Sequence, residues 1–161
     1  AKPCFENEAA PFVPASALDT LTGERNTPAA KDTIVLGSDA LFAFDKSDIS
    51  SLTPKGRSSL DELIAHYQKQ YGNNPSAMFH VIGHADPLGN PDSNLRLSAA
   101  RANTIRAYLA QGGISADKLS SKGRGDTEPV LDTCARTINP ENIACNKPNR
   151  RVVVVVQQLD R

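Results

Sequence analysis

From Thr33 onward the apolar residues fall into short runs and two long helical stripes, whereas residues 1–32 show no sustained apolar period. Ile34-Val35-Leu36, followed by Leu41, Phe42 and Phe44, reads as a pair of strands or one strand bent at Gly37. Thr53-Pro54 is a helix start. The threonine hydroxyl can cap exposed amides, and proline sits at the first helical position, where its missing N–H costs nothing. Leu60, Leu63, Ile64, Tyr67 and Tyr71 then recur at three- and four-residue steps, giving one apolar face. Gly72-Asn73-Asn74-Pro75 ends that helix.

A second strand is predicted from Met78 to about Gly83, then a polar loop and a helix that begins near Asp92 or Ser93, either a competent cap. Its expected core stripe is Leu95, Ala99, Ala102, Ile105 and Leu109, with Arg106 at the edge; Asn94, Leu97, Ser98 and Arg101 lie to one side, toward the loop. Gly112-Gly113 stops the helix, and a third strand follows around Leu119 to Gly123. The last strand, Arg151 to Gln157, holds five consecutive valines, which suits burial on both faces. Strands alternating with two long helices predict an α/β two-layer sandwich, with a mixed four-stranded sheet and both helices on one face. Residues 33–161 are read as this domain, and residues 1–32, with four prolines, as an extended arm or linker.

Composition narrows the partners. Eighteen basic and eighteen acidic residues cancel, so no global field draws the chain to nucleic acid or anionic lipid. The absence of tryptophan and the few aromatics argue against a base-stacking surface. No segment approaches the roughly 20 apolar residues that span a bilayer, and the start lacks a signal peptide, so membrane anchoring is expected only through a segment outside this chain. Cys134 and Cys145 flank a polar stretch with little capacity to bury itself. A bridge there would close a loop of about a dozen residues and contribute on the order of 3 kcal/mol. The alternative, a metal site, lacks Cys-x-x-Cys or Cys/His spacing. Cys4 is left over, and its role is open.

One stretch carries chemistry. Asp86 stands where the second strand ends, and Arg101 fifteen positions later on the following helix. A carboxylate and a guanidinium that converge on one cleft offer an acceptor for an ammonium and a bidentate fork for a carboxylate. The matching ligand is the zwitterionic head of an amino acid. The competing reading is a structural salt bridge, or two unrelated surface charges.

Four stretches resemble the OmpA-like peptidoglycan-binding domain: LFAFDKSDI (41–49), GHADPLGNPDSNLRLSAARANTIRAYL (83–109), GRGDTEPV (123–130) and NRRVVVVV (149–156). That family includes the C-terminal domain of outer membrane protein A, the peptidoglycan-associated lipoprotein and the flagellar motor stator. The resemblance implies a non-enzymatic domain without cofactor that anchors an envelope protein to the wall, on the periplasmic face of the outer membrane. Its implied ligand is the meso-diaminopimelate of the peptidoglycan stem, with Asp86 on the ammonium and Arg101 on the carboxylate. Backbone amides from Asp86 to Asn90, together with Leu97, would shape the pocket. Asn94 falls at the family's pocket position, although satisfying backbone groups at the helix start is its rival role. Phe44 and Asp45 match positions bordering the pocket, and Arg151 matches a supporting arginine. Ala85 stands where threonine is usual, which removes one hydroxyl. Some members carry a disulfide in the loop before the last strand, which suits Cys134 and Cys145.

Two other readings remain in view. His84 beside the strand end could serve a wall hydrolase as general base, though no nucleophile, zinc triad or acid pair accompanies it. A protein-interaction domain that has lost wall binding is the other, with Ala85 as its hint.

Overall fold

A computed structural model describes residues 30–158, so Cys4 and almost all of the expected arm lie outside the described residues. Strand β1, Ala30–Gly37, starts three residues ahead of the expected domain boundary. It is followed by a single helical turn, α1 (Ser38–Leu41), rather than a second strand. Leu41 and Phe42 are buried all the same, since one turn of helix drops both into the core, and Phe42 makes an isolated antiparallel bridge to Leu52. Phe44 is left 85% exposed on the loop beyond.

Helix α2, Pro54–Tyr71, begins as its sequence dictates. The Thr53 hydroxyl accepts a hydrogen bond from Gly56 N (2.9 Å), and Pro54 opens the helix. Strand β2, Met78–His84, leads to helix α3, Pro91–Gln111. Its cap is Asn90, not Asp92 or Ser93: Asn90 Oδ1 accepts from Ser93 N at 3.0 Å and Pro91 takes the first helical position. Strand β3 is Leu119–Gly123, a six-residue helix α4 spans Pro140–Cys145, and strand β4 is Arg151–Gln157.

The strand order is β1-β4-β2-β3. The α3 crossover makes β2 and β3 parallel, while β4 lies antiparallel to both β1 and β2. Phe79 and Val81 share one core with Val152, Val154 and Val156 and with Leu60, Ile64, Tyr67, Ala102, Ile105 and Leu109. Both long helices therefore cover the same sheet face. Val155, on the opposite face, is buried too, so the valine run is sheltered on both sides.

Two glycines fix how closely α3 lies on the sheet. Gly83 and Gly123 are register partners on β2 and β3. A β-carbon at Gly83 would overlap the Ser98 carbonyl, and one at Gly123 would overlap the Ala99 backbone. Backbone thus meets backbone where α3 carries its functional turns. That approach also explains why Ser98 and Arg101 are buried while Leu95, expected in the core, stays half exposed.

Cys134 and Cys145 form a disulfide, with Cα atoms 5.9 Å apart. It staples α4 to a loop that is otherwise held by the buried Asn149, whose Oδ1 accepts from Val130 N and Leu131 N. Replacing both cysteines with serine is expected to lower stability by about 3 kcal/mol, or roughly 10 °C in melting midpoint. A reductant added to the wild type during thermal unfolding checks the same number.

Candidate functional site

The site forms where three segments meet at one end of the sheet: the loop after α1, the loop between β2 and α3, and the approach to β4. Two bonds tie the first of these to α3. Arg101 Nε donates to the Lys46 carbonyl at 2.8 Å, and the Thr104 hydroxyl donates to the Ser47 carbonyl. This holds Asp45 in a left-handed backbone conformation (φ 59°), one that asparagine and aspartate tolerate better than most residues. The second loop is folded on itself. Asp86 Oδ1 accepts from Leu88 N at 3.0 Å, and Asn94 Nδ2 donates to the carbonyls of Asp86 (3.1 Å) and Leu88 (2.9 Å).

Arg101 is only 6% exposed, with its guanidinium carbon 5.3 Å from the centroid of the Phe42 ring. Among the described residues no carboxylate lies within ion-pair distance of it. Burial pulls its pKa below the ordinary arginine value; the charges of Asp39, Asp45 and Asp86 oppose that shift, and Arg150 adds to it. The guanidinium is therefore held in a partly dry site, ringed by acids but in contact with none.

Asp86 has a different partner. Its Oδ2 accepts from Arg150 Nη1 at 2.7 Å, and its side chain is 12% exposed. The same guanidinium grips Asp39 through two bonds of 2.9 Å and donates to the Ile143 carbonyl of α4. The hydrogen bond to Asp39 is the largest influence raising the Arg150 pKa, and it likewise lowers that of Asp39. Arg150 thus joins α1, the Asp86 loop and the disulfide-stapled helix.

Arg151, expected as a supporting arginine, is buried and donates to the loop carbonyls of Glu128 (2.9 Å) and Asn149 (3.2 Å). Burial lowers its pKa to about 10. Arg150 was missed because adjacent residues at a strand end diverge, and a sequence does not say which one faces a cleft.

The remaining expected residues divide. Asp45, Asn94 and Leu97 line one groove of about 360 Å³ together with Ser47, Ser93 and Arg96. Asp86 and Arg101 border this region through their neighbours without lining the groove. Asn90 is occupied as a helix cap. Phe44 stands out into solvent. Ala85 is buried, with its amide donating to the Gly125 carbonyl at 2.8 Å.

Comparison with known proteins adds a family and a set of folds. A family model described as the OmpA family matches residues 41–142. Outer membrane protein A of Yersinia pseudotuberculosis is 38% identical over 124 residues, covering 76% of this chain and 34% of its own length. The chain therefore spans about a third of that relative. Among solved structures, the periplasmic domain of Helicobacter pylori MotB superposes with a TM-score of 0.62 at 22% identity, covering 78% of this chain and 75% of its own. The peptidoglycan-associated lipoprotein of Burkholderia pseudomallei gives 0.56 at 21% identity, covering 76% and 89%. At these identities the two structures speak for the fold alone.

Proposed function

The chain belongs to the OmpA family, and on that premise we propose that it binds bacterial cell-wall peptidoglycan without catalysing a reaction on it. Its place is the periplasmic side of the cell envelope, in keeping with relatives described as an outer membrane protein, a periplasmic domain and a peptidoglycan-associated lipoprotein. In this reading the domain anchors an envelope protein to the wall through the meso-diaminopimelate of the stem peptide.

The observation that carries the reading is the buried Arg101 without a carboxylate. An unpaired charge taken out of water costs several kcal/mol, so a site that keeps one gains most when an anion arrives. A ligand carboxylate offers the guanidinium a planar, bidentate partner. Asp86 is bound by Leu88 N and Arg150 at one lone pair of each oxygen, and a carboxylate has about four such positions, so an ammonium can still be accepted. Lysine would satisfy Asp86 and leave Arg101 unpaired. Diaminopimelate adds the missing carboxylate on the carbon that bears the terminal amine. The expected discrimination is about 2–3 kcal/mol, or roughly 30- to 150-fold.

A hydrolase built on His84 fits poorly. That ring is 5% exposed, and its Nδ1 has no hydrogen-bond partner among the described residues. Burial first, then the charges of Arg151 and Arg124, push its pKa down to about 3. A base useful near neutral pH needs a pKa near 7 and access to substrate. Because the folded-state pKa lies below the unfolded one, stability conferred by neutral His84 is fully present above about pH 6.5 and is lost as pH falls toward 3. Urea unfolding between pH 7 and 4 should show this decline, on the order of a few kcal/mol, and His84→Gln should flatten it.

Incubation with purified sacculi tests the function. The protein should sediment with the wall and release no soluble fragments. Release of fragments would favour hydrolysis, and failure to sediment would remove the wall-binding reading.

A further inference from the structure

The structure assigns to Arg96 a second anion subsite, one that takes the free α-carboxylate of the γ-linked glutamate preceding diaminopimelate in a wall stem peptide. This rests on the diaminopimelate reading above and extends it along the ligand.

The groove lined by Asp45, Ser47, Ser93, Asn94, Arg96 and Leu97 has a volume of about 360 Å³. That is within the range of cavities that hold a drug-sized molecule, and it exceeds what a single amino-acid head occupies. It lies beside residues that contact Asp86 and Arg101, which do not themselves line it. Asn94 lines the groove and also donates to the Asp86 carbonyl. Asp45 lines it and acts electrostatically on Arg101. A ligand whose zwitterionic end lies at Asp86 and Arg101 therefore has this open groove nearby for the chain that leads away from it.

Arg96 lines that groove with its donors largely free. Among the described residues its hydrogen bonding is limited to a long contact, Nη2 to the Ser93 hydroxyl at 3.3 Å, and no carboxylate is within ion-pair distance. Other arginines are engaged: Arg150 by Asp39 and Asp86, Arg57 by the Ile49 carbonyl, and Arg106 doubly by Asn103. Arg96 and Arg101 are thus two guanidiniums on one helix with no carboxylate at ion-pair distance among the described residues, five positions apart: about 7.5 Å along the axis and about 140° around it, Arg101 buried and Arg96 exposed beside the groove.

The ligand has two free carboxylates, one for each guanidinium. In a wall stem the glutamate is linked through its side-chain carboxyl, which leaves its α-carboxylate ionised. About nine bonds of roughly 1.3–1.5 Å connect the carbon bearing it to the carbon bearing the terminal carboxylate of diaminopimelate. Leu97 and the hydroxyls of Ser47 and Ser93 supply an apolar wall and hydrogen-bonding partners between the two charges.

The test is calorimetric titration with three probes: free meso-diaminopimelate, the tripeptide L-Ala-γ-D-Glu-meso-diaminopimelate, and the same tripeptide with its glutamate α-carboxyl amidated. In the wild type the acid tripeptide should bind about five-fold tighter than the amidated one, as an exposed charge-assisted pair allows. Arg96→Gln should bring that ratio to one, and Arg96→Lys should retain part of it. Equal affinity of the two tripeptides for the wild type, or an undiminished ratio in Arg96→Gln, overturns the assignment while leaving the diaminopimelate reading intact. Failure of all three probes to bind overturns both.

Discussion

Arg101→Met will lower the affinity for meso-diaminopimelate by about 100-fold or more, with a melting midpoint equal to or above that of the wild type. The two halves of that result have one origin. Truncating one member of a desolvated charge pair typically costs 2–5 kcal/mol of binding, and about 3 kcal/mol is roughly 150-fold. In the free protein, by contrast, Arg101 has no ion-pair partner among the described residues and sits against the Phe42 ring. Methionine fills much the same volume, and exchanging a buried charge for a hydrophobic residue of similar size is often neutral or stabilising. The cost of the exchange is the hydrogen bond to the Lys46 carbonyl, about 1 kcal/mol. Titration with meso-diaminopimelate and a thermal melt of the same sample check both halves. A midpoint lowered by 10 °C or more would make Arg101 a structural residue first.

Gly83→Ala is expected to be the most destabilising single methyl that can be added near the site. The new β-carbon would meet the Ser98 carbonyl, which belongs to the helix backbone and cannot rotate away. Either α3 lifts from the sheet or β2 bends. Overpacking of this kind costs 1–3 kcal/mol with movable neighbours and more with backbone, so about 3 kcal/mol or above is expected, roughly 10 °C or more in midpoint. Gly37→Ala is the control. Nothing lies within 4 Å of its added carbon, so its midpoint should stay within a degree or two of wild type. Because α3 carries Arg101, Gly83→Ala should also weaken ligand binding in whatever fraction remains folded. Denaturant unfolding of the three proteins side by side checks the order.

Much of this architecture is legible in the residues, for identifiable reasons. Thr53-Pro54 pairs a capping hydroxyl with a proline at the one position where it does no harm, and the helix starts there. The valine run has no polar side to turn toward water, and β4 is sheltered on both faces. The turn at Ser38–Leu41 escaped notice because a single helical turn has no periodicity to detect, and its apolar residues imitate a strand. The start of α3 was misplaced by two or three residues because Asn90, Asp92 and Ser93 are all competent caps. The proline that decides among them follows Asn90 as Pro54 follows Thr53.

In the site, the types of charge were legible and their pairing was not. Asp86 and Arg101 do lie in one neighbourhood, yet each is set up by a residue distant in sequence: Arg150 for Asp86, and Lys46, through its carbonyl, for Arg101. Such pairings depend on sheet register and on loops closing across sixty residues, which local pattern does not encode. Leu95 was expected inside and Arg101 at the margin. The glycine-mediated approach of α3 to β2 exchanges them, and that approach is visible only in three dimensions.

A crystal structure of the protein with a diaminopimelate-containing stem peptide tests the central claim most directly. The terminal carboxylate is expected about 3 Å from the Arg101 guanidinium nitrogens and the ammonium about 3 Å from an Asp86 oxygen, with Arg150 still in place. A peptide bound elsewhere, or one whose terminal carboxylate leaves Arg101 without a partner, would contradict it.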